Sequence, residues 1–92
     1  MAYKVLIVDD EEIVCRGLTQ FVKWQEHGFQ AAGSANSVEE ALLQLEHMEV
    51  AVIFLDIRMP GKTGLDMLQI LQQSYPGIKT VILSGFSEFS YA

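Results

Sequence analysis

Four short apolar runs, each stopped by a polar or small residue, constrain this chain more than any other feature. Tyr3-Lys4-Val5-Leu6-Ile7-Val8 runs into Asp9-Asp10, Val50-Ala51-Val52-Ile53-Phe54-Leu55 into Asp56, and Thr80-Val81-Ile82-Leu83 into Ser84-Gly85. Phe29 to Ala35, after His27-Gly28, is a fourth and weaker run. Their apolar residues are continuous rather than alternating, which marks strands buried on both faces, as in a parallel sheet covered by helices.

Helical patterns fill the gaps. Over 11–25, Val14, Leu18 and Phe21 recur at helical spacing, with Gly28 as a stop signal. Ser37-Val38-Glu39-Glu40 has the spacing of a capping box. The helix it opens, to about residue 48, carries Ala41, Leu42 and Leu45; a third, over 64–75, carries Leu65, Leu68 and Leu71 and ends at Pro76-Gly77. Residues 87–92 read as the start of a fourth helix. The alternation predicts an α/β fold, a doubly wound parallel sheet with right-handed crossovers. A βαβ unit takes ~30 residues or more, so 92 residues hold one domain of about four strands.

Composition removes several functions. Twelve Asp+Glu against six Lys+Arg leave a net charge of −6, the wrong sign for a surface that binds DNA or RNA directly. Half the residues are hydrophobic and only 20% are charged, unlike a disordered tail. The longest apolar run, 50–55, is far short of the ~20 residues of a membrane span, and the run over 5–8 is too short for a secretory signal. A cytoplasmic location is the default expectation. The single Cys15 excludes an internal disulfide and a cysteine metal cluster.

In an open parallel sheet, ligands bind beyond the carboxyl ends of the strands, where the strand order reverses. The acids concentrate there: Asp9-Asp10-Glu11-Glu12 after the first strand and Asp56 after the third. In the flavodoxin-like order 2-1-3-4 these two strands are neighbours, so the carboxylates share one crevice. Close carboxylates repel and call for a cation, and oxygen ligands without His or Cys suit Mg²⁺. The plainer alternative, strongest for Glu11 and Glu12, is that the acids favour a helix N-terminus. Ser84 places a hydroxyl on the same rim.

Three motifs, Val8-Asp9-Asp10-Glu11-Glu12, Leu55-Asp56-Ile57-Arg58-Met59-Pro60-Gly61 and Leu83-Ser84-Gly85, resemble the receiver (phosphoacceptor) domain of two-component response regulators. The resemblance covers the whole chain. Trp24 before Gly28-Phe29, and the segment from Leu83 to Ala92, are similar to receivers joined to AraC-type DNA-binding domains. The resemblance implies that Asp56 accepts a phosphoryl group from a sensor histidine kinase. It implies that Asp10 ligates Mg²⁺ directly, that Asp9 holds it through water or by charge, and that the backbone carbonyl of Arg58 is a further ligand. Ser84 would contact the phosphoryl group and act as the switch. The module would not be an enzyme, and would reach DNA only through an output domain that these residues do not include.

The family also has a fifth strand ending in a lysine, and a fifth helix. Neither lies within residues 1–92, and Lys79, which precedes the fourth strand, is at the wrong end of the sheet to substitute. The chain is therefore expected to be the N-terminal part of a single receiver domain, truncated before the fifth strand. Its fourth strand, apolar and without Pro, would be an edge prone to self-association. Two competing readings stay open. One is a Mg²⁺-dependent aspartyl-phosphate phosphohydrolase, which needs a second aspartate where Arg58 stands. The other is a non-signalling fragment with a vestigial site. A dinucleotide-binding turn needs glycines that Asp9 to Glu12 lack. His27, His47 and Lys62 read as surface residues, Met59 and Met67 as packing residues, Trp24 as the end of a core stripe, and Cys15 as a partly covered helix residue.

Overall fold

A computed structural model describes residues 2–58 and 63–83. The strands are β1 (Tyr3–Val8), β2 (Phe29–Ala35), β3 (Val52–Asp56) and β4 (Lys79–Leu83), all parallel, in the order β2-β1-β3-β4. Helices α1 (Glu12–Phe21), α2 (Val38–Leu45) and α3 (Gly64–Ser74) alternate with them. The doubly wound α/β fold is as expected from the apolar runs. β1 lies centrally, and Val5, Leu6, Ile7 and Val8 are all completely buried, which is why its apolar run has no period of two.

The two faces of the sheet carry separate cores. Leu6, Val8, Ile53 and Leu55 pack beneath Val38, Ala41 and Leu45 of α2 and Met67 and Leu71 of α3. Val5 and Ile7 pack on the other face with Cys15 of α1 and Trp24. Among the described residues no helix is long and apolar enough to cross a membrane.

The helix expected over 11–25 is two elements. α1 ends at Phe21, the chain turns extended at Val22, and Trp24–His27 form a 3₁₀ turn. Phe21 consequently points outward, 81% exposed, rather than into the core. The break lets Trp24 fold back: its indole Nε1 donates to the Leu18 carbonyl at 3.0 Å, and its ring meets Phe54 edge-on at 5.3 Å. Gly28, at φ 80°, supplies the left-handed residue that closes this turn.

Two helix starts also differ from expectation. At α2 the Ser37 hydroxyl accepts from the Glu40 N–H, but the Glu40 carboxylate reaches Asn36 N–H instead of returning to Ser37. The reciprocal capping box is at α3, between Thr63 and Asp66. In α3 the buried stripe runs through Gly64, Met67 and Leu71, leaving Leu65 63% exposed. Ser84, the helix start at 87–92, and Met59, Pro60, Gly61 and Lys62 lie outside the described residues.

Candidate phosphoacceptor and cation site

The register of two adjacent parallel strands builds the site. Val8 on β1 is paired with Leu55 on β3, so the residues that follow them, Asp9 and Asp56, emerge side by side at the carboxyl rim. Asp10 comes next on the β1 side. One carboxylate oxygen from each of Asp9, Asp10 and Asp56 lies within 4.8 Å of the others.

Backbone amides hold the two inner carboxylates. Asp9 Oδ1 accepts the Glu11 N–H at 2.9 Å, and Asp56 Oδ1 accepts the Arg58 N–H at 3.0 Å. Each is a bond to an N–H two residues on, the local turn that Asp favours. Asp9 thus braces the turn before α1, whose N-cap Glu11 makes no side-chain cap bond, and also belongs to the acidic cluster. Its own N–H donates to the Ala35 carbonyl at the end of β2 at 3.0 Å. Glu11 and Glu12, both exposed, are not part of the cluster of three.

Burial sets the electrostatics. Asp9 and Asp56 are only 6% and 8% exposed, whereas Asp10 faces solvent. Loss of water pushes the Asp9 carboxyl up to about 6; the Glu11 N–H opposes this, and the charges of Asp56, Asp10 and Glu11 add to it. Three carboxylates held in this way fit a divalent, oxygen-seeking cation, which would relieve both desolvation and repulsion. Asp56 lies beside that position, with one carboxylate oxygen engaged by the Arg58 N–H.

Several supports of the site were not expected. Gly64, the first residue of α3, lies so close to the Asp56 carbonyl and the Ile57 Cα that a Cβ there would collide with backbone. Asn36 and Cys15 reach the Asp9 carbonyl from behind. Cys15 is fully buried rather than partly covered; burial first, then the Asp9 charge, raise its thiol pKa, which disfavours the thiolate a nucleophile needs. The Thr63-x-x-Asp66 spacing was the one available sequence signal for this region.

Residues 5–92 match the response regulator receiver domain. The chain belongs to that family. It is 33% identical over 90 residues to the transcriptional regulatory protein YesN of Bacillus subtilis, covering 98% of this chain and 24% of YesN. The chain thus spans about a quarter to a third of the length of the first curated relatives it matches. Among solved structures it resembles the receiver domain of the response regulator AraT from Geobacillus stearothermophilus (37% identity, TM-score 0.85, 99% of this chain and 70% of that one). It also resembles a two-component transcriptional regulator AraC from Clostridium phytofermentans (28%, 0.82, 98% and 70%). A third is the response regulator TrrA from Thermotoga maritima in complex with Mg²⁺-BeF (28%, 0.79, 97% and 75%). The fold of these relatives is the one described above, and the AraC-type receivers anticipated from Trp24 and the segment after Leu83 are among them.

Proposed function

We propose that residues 1–92 are the N-terminal part of a receiver domain that takes a phosphoryl group onto Asp56 with Mg²⁺. The observation that carries this reading is the convergence of Asp9, Asp10 and Asp56 within 4.8 Å, from segments 56 − 9 = 47 residues apart. Asp10 and Asp56 would ligate Mg²⁺ through carboxylate oxygens, with Asp9 acting by charge or through water and the Arg58 carbonyl completing the protein's share. When bound, Mg²⁺ would neutralise charge developing on the transferred phosphoryl oxygens. Asp56 supplies the attacking oxygen, its other oxygen being engaged by the Arg58 N–H. Ser84 is the proposed phosphoryl contact and switch. The complex of TrrA with Mg²⁺-BeF supports the metal by likeness.

The phosphoryl donor would be a phosphohistidine of a sensor kinase. The longer relatives, YesN among them, support an output domain that regulates transcription. The receiver is then a cytoplasmic acceptor rather than an enzyme turning over a substrate. Arg58, where an aspartyl-phosphate phosphohydrolase needs a second acid, favours this over the hydrolytic reading.

β4, apolar and flanking only β3 among the described residues, is the proposed edge for self-association in a chain of this length. A compact monomer in sedimentation at micromolar concentration would remove that part of the reading.

The central test is intact mass after incubation with a small acyl phosphate and Mg²⁺. One phosphoryl adduct is expected, mapping to Asp56, lost in Asp56→Asn and without sustained release of phosphate. An adduct that survives in Asp56→Asn, or no adduct on the parent, rejects the proposal.

A further inference from the structure

The acidic rim has a support on its far side that sequence motifs do not mark. The Asp9 carbonyl, as distinct from the carboxylate, accepts two side-chain donors. Asn36 Nδ2, from the loop after β2, lies at 3.0 Å, and the buried Cys15 Sγ of α1 lies at 3.5 Å. The two donors are themselves adjacent, 3.8 Å apart. Asn36 is held in turn by α2, whose Glu40 carboxylate accepts its backbone N–H at 3.4 Å. A single carbonyl thus ties together the ends of β1 and β2 and the starts of α1 and α2.

The consequence follows from peptide geometry. The Asp9 C=O and the Asp10 N–H share one rigid plane, so holding the carbonyl fixes the direction in which Asp10 leaves it. Asp9 and Asp56 are held by burial and by their own amide bonds, whereas Asp10 is exposed to solvent. Its place in the cluster therefore depends on the peptide behind it. The thiol is a weak donor, so the Asn36 amide is the stronger of the two restraints.

We propose that Asn36 is a positioning residue for the acidic site, fixing the Asp9–Asp10 peptide so that Asp10 is aimed at the place a divalent cation would take. This rests on the function proposed above. Groups that orient metal ligands from behind typically change affinity by 10–100-fold when removed. An exposed loop residue belongs at the low end of that range.

The test compares the parent chain with Asn36→Leu, which keeps the shape without the donor, and Asn36→Gln, which keeps an amide donor. The first readout needs no metal: the three-bond amide–α coupling of Asp10 by NMR, which reports its φ. A shift toward a conformationally averaged value is expected in Asn36→Leu and not in Asn36→Gln. The second is the Mg²⁺ dissociation constant by calorimetry with the metal alone, expected to weaken about tenfold in Asn36→Leu and to stay near the parent value in Asn36→Gln. A merely structural role would lower thermal stability while leaving both readouts unmoved. An unchanged coupling, Mg²⁺ affinity within a factor of about two in Asn36→Leu, or equal loss in both variants overturns the proposal. A parent that binds no Mg²⁺ fails the functional reading instead, and the coupling alone then decides whether Asn36 fixes the peptide.

Discussion

The two rims of this sheet are made by the same four strands and differ in almost everything else. At the amino ends, Tyr3, Lys4, Val50, Ala51 and Ile78 line an open cleft of about 530 Å³. The backbone there continues the ladder past the strands: the Ala51 N–H donates to the Lys4 carbonyl, and the Lys79 N–H to the Ala51 carbonyl. At the carboxyl ends the described residues are in more conflict. Two nearly buried carboxylates sit against a third, and the α3 backbone presses on the Asp56 peptide. Parallel strands place every strand-terminal loop of one kind on one rim, and the acids gathered there make it the costly one to fold.

One glycine at each rim offers the sharpest way to break this comparison. Gly64→Ala would force the α3 start off the Asp56 and Ile57 backbone, and a loss of about 3 kcal/mol is expected in urea unfolding. Gly77→Ala, at the other rim, meets nothing within 4 Å and should change stability by no more than about 0.5 kcal/mol. Equal effects would mean that the helix start is free to move.

Titration is the next largest effect. An ordinary Asp has a pKa of 3.8, and Asp9 is pushed up to about 6. Below the lower value Asp9 is protonated in both states and costs nothing. Between the two values the folded chain keeps a proton that the unfolded chain has released, so stability falls as pH rises. Above about 6 both states are ionised and the loss is complete, at most about 3 kcal/mol. The metal-free parent should therefore lose more stability than Asp9→Asn between pH 4 and pH 6.5, and parallel unfolding curves would show that Asp9 is better solvated than its burial implies.

Magnesium should sharpen the contrast more gently. At ten times its dissociation constant it would stabilise the fold by about 1.4 kcal/mol, seen as a raised melting temperature. Asp10→Asn should remove most of that shift, while Glu49→Gln, at a residue that also lines the opposite cleft, should leave it intact. A melt unmoved by Mg²⁺ in the folded parent would mean that no cation site forms. The smallest effect concerns Cys15: alkylation in the folded chain should be at least about tenfold slower than in urea, since the thiol is buried and its pKa raised.

How legible all this was depended on whether the signal was local. The β1 bounds and the β2 bounds follow from the apolar runs alone, and the three acids are marked by standing where a run stops. Phe21 was misplaced because helical spacing says nothing of where a helix breaks; the break answers to Trp24, whose indole needs the Leu18 carbonyl. Met67 packs as expected, but Leu65 was misplaced because burial of α3 follows Gly64, a residue without a side chain to announce its contact. Glu40 serves Asn36 rather than Ser37, and Asn36 serves Asp9, 27 residues earlier in the chain. Such partnerships exist only once the sheet has brought the segments together.

The central place of β1, between β2 and β3, also orders events in time. During synthesis the first half of the acidic site leaves the ribosome 47 residues ahead of Asp56, a delay of roughly 2–9 s at 5–20 residues per second. β1 can pair with β2 in that interval, but its other edge stays bare and the carboxylates of Asp9 and Asp10 stay hydrated, because the strand that would crowd them has not arrived. The repulsion at the rim is therefore imposed late, by the same pairing of β1 with β3 that completes the centre of the sheet.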